Sequence, residues 1–185
     1  MRIILMRHGK PDIRSHNAVT AENFKDWVYA YNQAGLCEKN NPSPEIVTIA
    51  SDCKIVVCSN LLRSTESAKR LGIDEIFRID ENFREMDMPY SSFLSFKLSP
   101  NIWSVIFRTI WFFGFSKNGE SFSEAKARAI YVATELEEIA KEHDSVLFVG
   151  HVFLNKYIAK QLILNGWRCS KNLSDRYWSH SIFEL

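Results

Sequence analysis

The fold is best predicted from Ile3-Ile4-Leu5-Met6-Arg7-His8-Gly9, near the start of the chain. Four apolar residues followed by a charged, glycine-containing segment are typical of a buried strand that ends in a loop. Two later stretches repeat the pattern: residues 54–58 precede Ser59 to Arg63, and residues 145–149 precede Gly150-His151. Helical patterns lie between these strands. We therefore expect a three-layer α/β/α sandwich with a mostly parallel sheet.

The other elements are predicted from apolar spacing and from residues that begin or end helices. Ser121 and Glu124 have the spacing of a capping box, so a long helix is expected to begin there. Residues 40–51 begin as a loop, with Pro42 and Pro44. The remaining predicted elements are helices over 20–34, 59–71, 121–142 and 153–164, a short strand at 76–79, and a last edge strand in the tail at 177–185.

A single domain is expected over residues 1–185, with a cap region inserted at about 87–119. Within it, the aromatic residues of segment 102–115 go round a helix rather than forming one stripe. This favours a cap helix that is buried on several sides. As an alternative, the segment lines the substrate pocket or pairs with a second copy of the chain in a homodimer. Arg108 would then meet a second negative group on the substrate.

Composition and charge exclude several classes of function. The 23 Lys and Arg residues almost balance 22 Asp and Glu residues, so a nucleic-acid partner is not expected. No membrane partner is expected either, because segment 102–115 is shorter than the roughly 30 Å bilayer core and the N-terminal apolar run is too short for a signal peptide. The four cysteines form no C-x-x-C pair, which favours free thiols and a cytoplasmic location.

Two arginines and two histidines follow the three predicted strands: Arg7, His8, Arg63 and His151. We expect these side chains to meet, because ligands bind at the carboxyl ends of parallel strands. Guanidinium groups bind phosphate oxygens, and a neutral imidazole can attack phosphorus. A second histidine, if protonated, can stabilise the charge that develops in the transition state. The set predicts phosphoryl transfer through a histidine, with a small phosphorylated substrate.

Five motifs occur in a fixed order along the chain: Leu5-Met6-Arg7-His8-Gly9, Cys58 to Ala68, Phe83-Arg84-Glu85, Gly119-Glu120-Ser121 and Val149-Gly150-His151. They resemble the R-H-G, S-x-L-x-R-x-x-x-T-A, L-x-E, G-E-S and V-S-H motifs of the histidine phosphatase superfamily, the phosphoglycerate-mutase-like proteins. R-H-G alone would be a weak signal, whereas five ordered motifs are a strong one. The resemblance covers nearly the whole chain.

The resemblance implies a role for each matched residue. His8 would be the nucleophile that forms a phosphohistidine, and Arg7, Arg63 and His151 would complete the phosphate pocket. Glu85 would protonate the leaving oxygen and then deprotonate the attacking water. No metal ion and no organic cofactor are implied.

The sequence departs from the family's pattern at several positions. Ser67 stands where Thr is usual, and Val152 follows the second histidine, where Gly is common. Arg14 lies six residues after the nucleophile, where mutases commonly have Asn. This weakens a mutase reading and adds a substrate-binding cation at the pocket mouth. Residues 86–89 replace a Gly-Trp pattern, so substrate contacts cannot be carried over there.

Other titratable residues are weaker candidates. Asp87 lies two residues after Glu85 and is the alternative acid. His16, His143 and His180 match no motif, and structural or surface roles are expected for them, although His180 lies in a tail that often contacts the phosphate in relatives.

The sequence thus predicts a phosphatase that hydrolyses a phosphate monoester through a phosphohistidine on His8. Two other enzymes stay open: a phosphoglycerate-type mutase and a protein-phosphohistidine phosphatase. The inserted segment disfavours the latter, because a protein substrate needs an open pocket. A non-catalytic module that binds a phosphorylated ligand is the rival from another class. Retention of both a nucleophile and an acid argues against it.

Overall fold

The computed structural model describes residues 1–13, 17–92, 95–170 and 174–185. Strands and helices alternate along these ranges. In chain order the elements are β1 (Arg2–Arg7), α1 (Phe24–Gln33), α2 (Pro44–Ser51), β2 (Ile55–Ser59), α3 (Leu62–Arg70), β3 (Arg78–Asp80), a 3-10 turn (Glu81–Phe83), α4 (Pro100–Phe112), α5 (Phe122–His143), β4 (Ser145–Gly150), α6 (Val152–Leu164), β5 (Arg168–Cys169) and β6 (His180–Glu184).

The strands form one sheet in the order β3-β2-β4-β1-β6-β5. Strands β1 to β4 run parallel, whereas β6 is antiparallel to both β1 and β5. The prediction of a mostly parallel sheet is therefore confirmed. Arg7 lies opposite Gly150 in the register of β1 and β4. The loops that begin with His8 and His151 consequently leave the sheet side by side.

Helices cover both faces of the sheet because successive strand residues point in opposite directions. Ile3 and Leu5 belong to the core that holds Ala129 of α5 and Leu154 of α6. Ile4 and Met6 belong to the opposite core, which includes residues of α2 and α3. This arrangement confirms the three-layer sandwich. The capping box that was predicted to begin the long helix is also present, at Ser121 and Glu124.

A third apolar cluster joins α1 and α4, and these two helices together are called the cap from here on. Phe24 of α1 packs with Trp103 and Phe107 of α4, and the rings of Phe24 and Phe107 stack with centroids 5.3 Å apart. The prediction that α4 is buried on several sides is wrong in part. Trp103, Phe107 and Trp111 are buried, but Val105 and Phe113 are exposed. Residues four apart share one face of a helix, so the buried aromatic residues do form a single stripe.

Several elements differ from the predictions, among them α1, which begins at Phe24 instead of residue 20, and β3, which is Arg78–Asp80 instead of residues 76–79. Residues 40–51 do begin as a loop, but they also contain α2, because Ser43 caps the helix and Pro44 occupies its first turn. Ser59 ends β2 instead of capping α3, whose cap residue is Leu61. The tail strand β6 is not an edge strand, since the two residues of β5 pair on its outer side. Among the described residues, no helix is long and apolar enough to cross a membrane.

Candidate active site

His8 follows β1 directly and is only 2% exposed. Its Nδ1 lies 2.6 Å from the Gly9 carbonyl oxygen. A carbonyl can only accept, so Nδ1–H donates and the lone pair of the neutral ring is on Nε2. Arg63 Nε donates to this Nε2 atom over 3.2 Å. The tautomer is thus fixed with the nucleophilic nitrogen facing a guanidinium group.

His8 is held in its neutral form. Burial lowers its pKa well below the usual value, and the positive charges of Arg63 and Arg7 lower it further. The hydrogen bond to Gly9 opposes this shift but does not reverse it. A neutral imidazole is the form that can attack phosphorus.

The two arginines expected in the phosphate pocket both flank His8. Arg63, in the first turn of α3, is 1% exposed and lies over the Tyr31 ring, 4.7 Å from its centroid. Arg7 lies over the Tyr177 ring at 4.1 Å and donates to the Asp175 carbonyl. The Nε atom of Arg7 is buried and has no hydrogen-bond partner in the described structure. Both guanidinium groups line the same cavity, as an anion site requires.

His151 is the N-cap residue of helix α6 and is fully buried. Its ring lies beside that of His8, with centroids 4.9 Å apart, and its Nε2 is 3.4 Å from Ser64 Oγ. Burial lowers the pKa of His151 well below its usual value, and Arg63 and His8 add to the effect. The sequence argument gave His151 a role in charge stabilisation on the condition that it is protonated. The lowered pKa favours the neutral ring when no anion is bound, and a dianionic phosphate beside it would favour protonation.

Glu85 lies against the first turn of α6, next to His151. Its Oε1 accepts the backbone N–H groups of Met86 and Leu154, each over 3.0 Å, and its Oε2 accepts that of Phe153 over 3.1 Å. The start of a helix has free N–H groups and a positive dipole end, which attract a carboxylate. The side chain is therefore oriented by the backbone.

Gly9 allows the chain to pass close to the tail. A Cβ atom at this position would lie 2.4 Å from a ring carbon of Trp178, so a side chain would displace the tail or the His8 loop. The Gly9 N–H donates to Ser67 Oγ over 2.9 Å, and that hydroxyl donates to the Arg63 carbonyl over 2.6 Å. Serine thus supplies the hydroxyl expected from the usual threonine and connects the loop after β1, which begins with His8, to α3.

A cavity of about 640 Å³ lies over these groups. Its lining includes all five residues to which the motifs assign roles: Arg7, His8, Arg63, Glu85 and His151. Trp27 and Tyr31 of α1, Ser104 of α4, and Phe153 form other parts of its wall. Pockets of about 300–1,000 Å³ are typical for small-molecule ligands, so an ester considerably larger than phosphate can enter.

The other sequence candidates have different surroundings. Arg14 and His16 lie outside the described residues. Asp87 lines the cavity with Glu85, but its Oδ2 accepts the Glu120 N–H over 3.0 Å. His143 contacts the Phe77 ring, and His180 is buried in β6.

Sequence reasoning missed Tyr31 and Tyr177, whose rings cover the two arginines. Neither tyrosine lies in one of the motifs, and only the folded chain brings them to the site. Among the described residues there is also no group of three or more His, Cys, Asp or Glu side chains placed to hold a metal ion.

Comparison with known proteins identifies the family. The sequence model of the histidine phosphatase superfamily (branch 1) matches residues 47–181, well over half of the chain. The protein therefore belongs to the histidine phosphatase superfamily. The match contains Arg63, Glu85 and His151, whereas Arg7 and His8 precede it and are placed beside them by the fold. No curated protein matches the sequence significantly.

Solved structures share the fold. The Rv3214 protein of Mycobacterium tuberculosis has a TM-score of 0.67 and 18% identity, covering 100% of this chain and 91% of that one. A mycobacterial glucosyl-3-phosphoglycerate phosphatase has a TM-score of 0.57 and 20% identity, covering 88% and 79%. Phosphoserine phosphatase from Entamoeba histolytica, in complex with 3-phosphoglyceric acid, has a TM-score of 0.57 and 14% identity, covering 99% and 90%. Identities this low support a shared fold and leave the substrate open.

Proposed function

We propose that the protein is a phosphatase that hydrolyses a phosphate monoester of a small molecule through a phosphohistidine on His8. One observation carries the proposal: the neutral His8 ring directs its Nε2 lone pair at the Arg63 guanidinium, 3.2 Å away, in the floor of the cavity. A nucleophile that faces a fixed cation is suited to an anionic, electrophilic group such as a phosphate.

In the first step, His8 Nε2 attacks phosphorus while the bond from phosphorus to the ester oxygen breaks. Arg7 and Arg63 stabilise the negative charge on the phosphoryl oxygens, and His151 assists once the phosphate favours its protonation. Glu85 gives a proton to the leaving oxygen. Its Oε2 accepts one backbone N–H, compared with two at Oε1, so it is the oxygen with more capacity to hold that proton.

In the second step, a water molecule attacks the phosphorus of phosphohistidine. Glu85, now ionised, takes a proton from that water, and the bond from phosphorus to His8 Nε2 breaks. Inorganic phosphate leaves, and both His8 and Glu85 return to their starting forms. No metal ion takes part in these steps, because the arginines and histidines supply the charge stabilisation.

The cavity favours a small-molecule ester over a protein. Helices α1 and α4 and Phe153 supply walls beside the reacting groups, so a phosphorylated side chain on a protein surface would have to pass the cap. A mutase would use the same first step but would return the phosphoryl group to a substrate. Release of inorganic phosphate distinguishes the two reactions.

The test is a screen with sugar phosphates, phosphoglycerates, nucleotides and phosphopeptides, with no phosphorylated acceptor added. We expect phosphate release from at least one small monoester by the wild-type protein and none by His8→Ala. Transfer between substrates without phosphate release would establish a mutase. Binding without turnover for every ester would establish a non-catalytic module, and preference for phosphopeptides would overturn the small-molecule assignment.

A further inference from the structure

Arg108, in the cap helix α4, is a buried cation that holds the loop following Glu85. It is 6% exposed, and its two terminal nitrogens donate to successive carbonyls, those of Asp87 over 2.8 Å and Met86 over 2.9 Å. The guanidinium group packs over the rings of Trp111 and Phe153, 4.5 and 4.6 Å from their centroids. The side chain thus joins the cap, the loop and the first turn of α6.

Packing alone does not explain an arginine at this position. Burial of its charge is costly in free energy unless the guanidinium group is hydrogen-bonded. Burial does lower the pKa of Arg108, while the negative charges of Glu85, Asp87 and Glu120 oppose that shift. An apolar side chain would fill the same space. The planar fork of a guanidinium group presents two donors in a fixed geometry, which suits two successive carbonyls.

The same loop is held from its other side by the segment that opens α5. The Asp87 N–H donates to Glu120 Oε1 over 3.1 Å, and the Glu120 N–H donates to Asp87 Oδ2 over 3.0 Å. These reciprocal bonds need a glycine before Glu120. A Cβ atom on Gly119 would lie 2.6 Å from Asp87 Oδ2.

Arg128 of α5 extends the support to the residues that precede Glu85. Its Nε donates to Glu120 Oε2 over 2.9 Å, and one terminal nitrogen donates to the carbonyls of Asn82 and Arg84. The backbone is therefore fixed on both sides of Glu85. Of these supports, only Arg108 comes from the cap.

We propose that Arg108 is a positioning residue for Glu85, through which the cap helix sets the position of the acid relative to the leaving oxygen. This inference rests on the proposed function. Arg108 lines the cavity, but both of its terminal nitrogens donate to the chain's own carbonyls, and its Nε atom is buried with no hydrogen-bond partner among the described residues. We therefore assign the side chain to this task rather than to a second anionic group of the substrate. Loss of Arg108 should then resemble a partial loss of Glu85.

The test compares two leaving groups. Nitrophenolate departs with little help from an acid, whereas an alkoxide needs a proton. The rate of His8 phosphorylation is measured in single turnovers with nitrophenyl phosphate and an alkyl phosphate, for wild type, Arg108→Met, Glu85→Gln and the double variant. Lys97→Met is the charge-matched control, because Lys97 is an exposed cation just before α4. Arg108→Lys keeps the charge and most of the buried stem, so it provides a second variant that is expected to fold.

We expect Arg108→Met to slow the alkyl ester at least about tenfold more than the nitrophenyl ester, since acid assistance is typically worth about 10²–10⁴-fold. Arg108→Lys should show a smaller difference of the same sign, and Lys97→Met none. In the Glu85→Gln background, Arg108→Met should leave the ratio of the two rates unchanged. Equal slowing of both esters by either Arg108 variant, or a further change of ratio without Glu85, would overturn the inference. Absence of phosphohistidine in the wild-type protein would instead refute the proposed function.

Discussion

Arg63 Nε donates to His8 Nε2 over 3.2 Å, while His8 Nδ1 donates to the Gly9 carbonyl. The guanidinium group is thereby bonded to the same lone pair that would attack phosphorus. A bound phosphate offers Arg63 a charged acceptor, which makes a stronger hydrogen bond than a neutral imidazole. Substrate binding would therefore draw the guanidinium away from Nε2 and release the nucleophile as the phosphorus arrives.

Arg63→Lys tests this arrangement. Lysine keeps a positive charge but lacks the planar fork, so we expect phosphorylation of His8 to slow by about 10²–10³-fold, the usual effect of losing one donor to a developing oxyanion. Alkyl and nitrophenyl esters should slow by similar factors, because both place the same charge on the phosphoryl oxygens. Lys69 is an exposed residue of the same helix, so Lys69→Arg should leave the phosphorylation rate unchanged with both esters. A large difference between the two esters would contradict the role given to Arg63.

Glu85→Gln should show the opposite pattern. The amide oxygen of glutamine can still accept backbone N–H groups at the start of α6, although its NH2 group cannot, and the side chain cannot act as an acid. Phosphorylation of His8 by an alkyl phosphate should therefore slow far more than that by nitrophenyl phosphate. Single-turnover measurement is needed, because Glu85 also serves the later attack of water. Asp87→Asn is the comparison, since Asp87 lines the same cavity. A leaving-group effect in Asp87→Asn and none in Glu85→Gln would assign the acid to Asp87.

The two buried histidines should make the protein less stable in acid. Their pKa values are lowered in the folded state, whereas an unfolded histidine titrates near about 6.5. Below that pH the unfolded state binds protons that the folded state does not. The free energy of unfolding should then decrease as the pH is lowered below about 6.5, by up to about 1.4 kcal/mol per pH unit for each histidine, and this contribution is fully present above about pH 6.5.

Urea unfolding between about pH 5.5 and 7.5 measures this slope, on either side of the normal histidine pKa. His151→Gln should make it shallower, because it removes one of the two buried histidines whose pKa is lowered in the folded state. An equal slope in wild type and His151→Gln would show that His151 is not held neutral by the fold.

Activity should survive thorough removal of divalent metal ions. In the proposed steps, Arg7, Arg63 and His151 carry the charge stabilisation that a metal ion supplies in other phosphatases. Phosphate release is compared before and after treatment with a chelator, and after readdition of Mg²⁺, Mn²⁺ or Zn²⁺. A strict requirement for any of these ions would point to a different mechanism.

The sequence was sufficient to predict a mostly parallel sheet and the residues at the carboxyl ends of its buried strands. His8, Arg63 and His151 each follow a buried strand, and parallel strands bring such positions together whatever the details of packing. The side chains that pack around these residues could not be predicted from strand positions. The stacking of Tyr31 on Arg63 and the hold of Arg108 on the 86–87 backbone depend on how α1 and α4 pack as a cap, and neither contact leaves a periodic pattern in the sequence.

Strand order at the sheet edge was also beyond the sequence argument. Residues 177–185 were correctly predicted to contain a strand, but β5 has only two residues, too few for a recognisable alternation of apolar and polar positions. The bonds between Glu120 and the loop after Glu85 could not be predicted for a different reason, namely their separation along the chain. Glu120 is 35 positions further along the chain, and only the fold places its carboxylate on the Asp87 N–H.

The proposed mechanism depends on transfer of phosphate to His8. Rapid quenching with a radiolabelled phosphate monoester detects this transfer as label bound to the protein. We predict protein-bound label that is stable in alkali and lost in acid, as expected of phosphohistidine, and located on His8 by peptide mapping. His8→Ala should fold, as judged by its circular dichroism spectrum, and should show neither label nor turnover. Full activity in His8→Ala, or label on another residue of the wild-type protein, would contradict the account.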